Sequence, residues 1–117
     1  MKSFYLYWLP HCSTCKKAAQ FLENQNVEIT DVRNLKENPL LREEVETLAK
    51  QIGGADELFS RCAIKYREMK LQSRELSDAE MLDLMASEYT FIKRPVLVSG
   101  ERAIAGFSEK KYKEFLQ

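Results

Sequence analysis

The chain has 117 residues, 44% hydrophobic and 31% charged, with 18 Lys+Arg balancing 18 Asp+Glu. That length suits one compact domain with one core, and a formal net charge of zero offers no basic excess for direct nucleic-acid binding. No apolar run approaches the roughly 20 residues of a membrane span, and the N-terminus lacks a signal peptide's basic region and small-residue cleavage site, so a monomer in the reducing cytoplasm is expected.

Residues 3–8 are short, apolar and aromatic and predict a buried strand. Residues 13–24 predict a helix, because Cys15, Ala18, Ala19 and Leu22 fall at i, i+3, i+4 and i+7 on one stripe. Residues 28–32 alternate with period two and predict a half-buried strand. Asn38-Pro39 predicts a helix start, an N-cap followed by proline at the first helical position. Leu41, Val45, Leu48 and Ile52 mark the apolar side of that helix, and Gly53-Gly54 its stop. Residues 55–70 predict one or two short helices. Ser77-Asp78-Ala79-Glu80 is a capping box, with Leu76 and Met81 placed as its staple, for a helix running to about Glu88. Pro95-Val96-Leu97-Val98 predicts a strand, Ser99-Gly100-Glu101 a turn and Arg102-Ala103-Ile104-Ala105 a returning strand. Ser108 caps a last helix, with Phe107 and Tyr112 as its staple.

The order is β-α-β, a helical block, then β-β-α. That is the thioredoxin-like arrangement: an α/β fold with a four-stranded mixed sheet flanked by helices. A single domain over 1–117 is expected, with a helical subdomain inserted at about 36–90.

Cys12-Ser13-Thr14-Cys15 sits between the first strand and the first helix, the context in which CxxC means thiol–disulfide chemistry. Residues at i and i+3 share one side of a helical turn, so the two sulfurs can meet. Cys12 lies at the helix N-terminus, where free N–H groups and the helix dipole favour a thiolate. Cys15 lies on the apolar stripe and is either a resolving thiol or a core cysteine. His11 either lowers the pKa of Cys12 or is a solvated loop residue. Cys62 is a packing cysteine or a second resolving thiol. A structural zinc site wants four ligands, and with no second CxxC or CxxH no metal is expected.

Further landmarks are Leu58-Phe59-Ser60-Arg61, Lys65-Tyr66-Arg67, Ile92-Lys93-Arg94-Pro95 and Gly106-Phe107-Ser108. With the Cys12 loop, these resemble the arsenate reductase-like (ArsC/Spx) branch of the thioredoxin-fold proteins over nearly the whole chain. The resemblance implies that Cys12 is the nucleophile, that Pro95 is a cis-proline facing the thiol, and that Arg94 and Arg61 bind an oxyanion. On the residues alone, Arg94 is either a surface charge or an anion ligand, and Arg61 either an anion ligand or half of a surface salt bridge. The glutaredoxin-dependent arsenate reductases carry HNPxCGTSR around their cysteine. Here Trp8 replaces the histidine, Ser13 the glycine and Cys15-Lys16 the Ser-Arg, and the third arginine of that family falls at Ala105 or Gly106. CxxC with a later Arg-Pro is the pattern of the Spx-like members, which are redox-switched regulators that bind RNA polymerase rather than DNA.

Two functions follow from the resemblance. The first is a thiol-dependent oxidoreductase acting on a small oxyanion or a disulfide. In it Cys15 resolves the Cys12 adduct, no cofactor is bound, and glutathione/glutaredoxin or thioredoxin is the reductant. The second is a regulator in which the same disulfide is a switch and the output is a contact with RNA polymerase.

Overall fold

The computed structural model describes residues 3–117, and its chain divides into two units, one running to Asn38 and resuming at Arg94–Gln117, the other Pro39–Lys93. The first unit holds β1 (Tyr5–Trp8), α1 (Ser13–Asn24), β2 (Asp31–Asn34), β3 (Val96–Ser99), β4 (Arg102–Ala105) and α6 (Glu109–Phe115). Strand order is β2-β1-β3-β4. β1 runs parallel to β2, and the β1–β3 and β3–β4 pairs are antiparallel. A parallel pair needs a crossover, and α1 supplies it. This is the thioredoxin-like fold.

Period-two alternation along β1 sends Phe4, Leu6 and Trp8 to one side of the sheet. There they meet Ala18, Phe21 and Leu22 of α1, Leu97 of β3, and Tyr112 and Phe115 of α6. Cys15 is fully buried. β3 turns into β4 at Gly100-Glu101, with Ser99 paired to Arg102 and Gly100 at φ 62°, the positive φ that a two-residue hairpin requires. Ser108 caps α6 by accepting the Lys111 N–H at 3.4 Å. The Phe107 and Tyr112 rings meet edge-on at 4.9 Å, as the staple predicts.

The second unit contains α2 (Arg42–Ile52), α3 (Ala55–Leu58), α4 (Ile64–Glu68) and α5 (Asp78–Ser87), with short 3-10 turns at Leu71–Ser73 and Tyr89–Phe91. α2, α3 and α5 pack on one another through buried Val45, Leu48, Ala55, Leu58, Met81 and Met85. Phe59 stacks on Phe91 at 5.5 Å. The capping box is formed: Glu80 N–H donates to Ser77 Oγ and Ser77 N–H to Glu80 Oε1, both at 3.2 Å. Gly53 ends α2 at φ 112°.

Two predicted boundaries are corrected. The second strand spans 31–34, not 28–32: Ile29 packs against the core, but continuous pairing with β1 starts only at Tyr5↔Asp31. The helix expected from Asn38-Pro39 starts at Arg42. Asn38 belongs to the preceding turn, its N–H donating to the Asn34 carbonyl at 2.8 Å. Glu44 Oε1 accepts the Leu41 N–H at 2.9 Å, so Leu41 is the N-cap and stays 68% exposed.

Candidate active site at the N-terminus of α1

Cys12 is the N-cap of α1, at φ −87° and ψ 120°. An extended residue there turns its side chain back over the first turn, where backbone N–H groups have no helical acceptor. Cys12 Sγ takes one of them, the Cys15 N–H, at 3.4 Å. The Cys12 N–H in turn donates to the Leu9 carbonyl at 3.2 Å, which ties the loop to the end of β1. Cys12 is half-buried and Cys15 buried, and neither is in a disulfide.

The two thiols are pushed in opposite directions. Partial burial works against ionisation of Cys12, but hydrogen bonds from the Cys15 thiol and amide, the positive charge of Arg94 and the Thr14 amide outweigh it and hold the thiol below its usual value. For Cys15 burial dominates. A backbone hydrogen bond from Leu9 opposes it, while the hydrogen bond and charge of Cys12 reinforce it, and the thiol is pushed up to about 12. The pair therefore consists of one accessible sulfur disposed to be a thiolate and one enclosed sulfur that keeps its proton, the division of labour that nucleophile and resolving thiol need.

Arg94 and Pro95 open β3, which pairs directly with β1. The Arg94-Pro95 peptide bond is cis, as the resemblance implies. Pro95 is buried, and its carbonyl accepts the Gly106 N–H at 2.8 Å. The first unit thus brings together Cys12, Cys15, Arg94 and Pro95. His11 is exposed beside Cys12 in the chain, and it is absent from the interactions that lower the Cys12 thiol, where Arg94 appears instead. Arg61 lies in the second unit. Its guanidinium donates to Asp56 Oδ1 at 2.6 Å and sits over the Phe59 ring. Cys62 is exposed in that unit. Leu9, Thr14 and Gly106 contribute through backbone groups alone, so nothing in their residue type marks them. Among the described residues, no three His, Cys, Asp or Glu side chains are grouped as a metal site, and no helix is long and apolar enough to cross a membrane.

Relatives match over nearly the whole chain. YusI of Bacillus subtilis, a protein described as uncharacterized, is 36% identical over 96% of this chain and 97% of its own. The global transcriptional regulator Spx of Streptococcus pneumoniae is 27% identical over 95% of this chain and 84% of its own. A solved structure of an arsenate reductase from Vibrio cholerae superposes with a TM-score of 0.84 at 27% identity, covering 96% of each chain. The ArsC family profile matches residues 7–115. With Cys12 capping α1 and a cis Arg94-Pro95 bond opening the strand that pairs with β1, the chain belongs to the ArsC family.

Proposed function

We propose that this chain is a thiol-dependent oxidoreductase acting on disulfides, with Cys12 as nucleophile and Cys15 as resolving thiol. The observation that carries the reading is the placement of two thiols three residues apart, Cys12 capping α1 with its sulfur accepting the Cys15 N–H at 3.4 Å and Cys15 fully buried, an arrangement that lowers the first thiol and raises the second. The Cys12 thiolate attacks one sulfur of a substrate disulfide, forming a mixed disulfide and expelling the other sulfur as a thiolate. Forming that adduct removes the Cys12 charge and hydrogen bond, two of the interactions that hold the proton on Cys15. Cys15 then loses its proton more readily and attacks Cys12 Sγ, and the second substrate thiolate leaves. Glutathione/glutaredoxin or thioredoxin returns two electrons to the Cys12–Cys15 disulfide, with no bound cofactor. A monomer in the cytoplasm is the setting that fits this cycle, since reduced thiols persist there.

Arsenate is a poor substrate on this reading. A tetrahedral oxyanion wants several convergent donors. Arg94 is one; Arg61 is engaged by Asp56, and Ala105 and Gly106 offer no cationic side chain. Each lost donor costs about 10²–10³ in rate.

The second reading is a redox-switched regulator that binds RNA polymerase. The 27% identity to Spx over 95% of the chain favours it. Both use the same disulfide, and one pair of assays separates them. Steady-state reduction of a disulfide substrate with each thiol donor, with arsenate in parallel, supports the enzyme if disulfide turnover exceeds that of arsenate. Redox-dependent co-purification with RNA polymerase and no turnover would replace the enzyme with the regulator.

A further inference from the structure

Tyr112 is the largest fully buried side chain of the protein, 0% exposed on α6. Its ring is held edge-on by Phe21 of α1 at 6.2 Å and by Phe107 at 4.9 Å. A phenylalanine would satisfy those contacts equally well, so packing alone does not explain a hydroxyl in this place. A buried hydroxyl is costly unless bonded, and this one donates to the Gly106 carbonyl at 2.8 Å. Gly106 sits at φ 79°, a conformation that lets one residue turn its carbonyl to Tyr112 and its N–H to the Pro95 carbonyl at 2.8 Å. Two hydrogen bonds thus connect the core of α6 to the residue following Arg94. Cys15 lies near enough for its charge to oppose ionisation of Tyr112.

We infer that Tyr112 is a positioning residue for the thiol site, holding the Arg94-Pro95 segment through Gly106 so that the Arg94 charge is presented to Cys12. The inference rests on Cys12 being the nucleophile. Removing the hydroxyl leaves the Gly106 carbonyl unpaired and loosens the strap at Pro95. Arg94 then supports the Cys12 thiolate less well, while the Cys12 loop, fixed by its own bonds to Leu9 and Cys15, stays in place.

The test is the pH profile of Cys12 alkylation in wild type, Tyr112→Phe, Arg94→Gln and the double variant. Tyr112→Phe is expected to move the profile to higher pH, lowering the rate on its acidic limb about threefold, with an alkaline plateau that does not fall. In the Arg94→Gln background the same substitution is expected to add nothing. A low wild-type midpoint that Tyr112→Phe leaves in place overturns this inference alone, as does an equal displacement in the Arg94→Gln background. An ordinary thiol profile in the wild type overturns the nucleophile assignment as well. If Tyr112→Phe does not fold, the wild type still decides by NMR. The Gly106 amide resonance is expected to titrate with the Cys12 midpoint and to lose that titration in Cys12→Ser; a Gly106 resonance that stays flat refutes the strap.

Discussion

Cys15 should be almost inert to alkylation in the native protein, and the margin can be worked out. A thiol held at about 12 is about one part in 10⁴ thiolate at pH 8, whereas a thiol at the usual 9.0 is about one-tenth ionised, a deficit of about 1000-fold. A more basic thiolate is intrinsically more nucleophilic. With a Brønsted slope of about 0.4–0.5, the rise of about 3 in pKa returns roughly 20-fold. The net expectation is alkylation about 50-fold slower than a peptide thiol. Complete burial of Cys15 slows it further. The assay is a brief exposure to limiting iodoacetamide at pH 8, followed by peptide mapping, with a small peptide thiol as reference and a urea-unfolded sample as the control for reagent access. In a Cys62→Ser background, which removes the exposed thiol, the modification should fall on Cys12 and leave Cys15 untouched until the chain is unfolded. Native alkylation of Cys15 within about fivefold of the peptide thiol would refute the reasoning.

The Cys15 thiol also sets an alkaline limit to stability. The unfolded chain ionises it near 9.0 and the folded chain only near about 12, so across that window the unfolded state binds fewer protons and folding stability falls as pH rises, by up to about 1.4 kcal/mol per pH unit. Tyr112, raised by burial and by the Cys15 charge, acts in the same direction above its usual 10.0. Urea unfolding at successive alkaline pH values should show the decline, and Cys15→Ala should make it shallower. Arg94→Gln removes a charge that lowers the Cys12 thiol, so disulfide exchange below pH 7 should slow and recover at higher pH; a pH-independent loss would assign Arg94 another role. Leu22→Ala, at a fully buried position, should cost about 2–5 kcal/mol, and Ser77→Ala, which removes the cap on Glu80 N–H, about 1 kcal/mol, both read from denaturant midpoints.

Local signals in the sequence located the helices where a chemical stop or cap was present. Ser77 with Glu80, Ser108 with Lys111, and Gly53 act as their residue types predict. The second strand differs from the alternation at 28–32: Ile29 is packed but Val32 is 43% exposed, and the ladder is set by what lies opposite on β1. Asn38-Pro39 is a turn signal that does not begin α2; the bond that begins the helix comes from Glu44. Cys12 and Cys15 were readable from their spacing. The hydrogen bonds from Cys15 that contribute most to lowering the Cys12 thiol follow from its place at the helix N-terminus, but the charge does not: it comes from Arg94, brought near by the β1–β3 pairing, and not from the adjacent His11. The Tyr112–Gly106–Pro95 strap has no local signature either, since it runs through backbone groups.

The most direct test of the account is stoichiometric. In a Cys62→Ser background, which removes the exposed thiol, the protein is mixed with excess 5,5′-dithiobis(2-nitrobenzoate) and the released thiolate is counted. With both site cysteines present, attack by Cys12 and resolution by Cys15 should release about two equivalents and leave a Cys12–Cys15 disulfide. Cys15→Ser should release about one equivalent and retain the mixed disulfide on Cys12, and Cys12→Ser should release almost none. Comparable release from Cys12→Ser, or a second adduct on Cys15 in place of the internal disulfide, would contradict the assignment of nucleophile and resolving thiol.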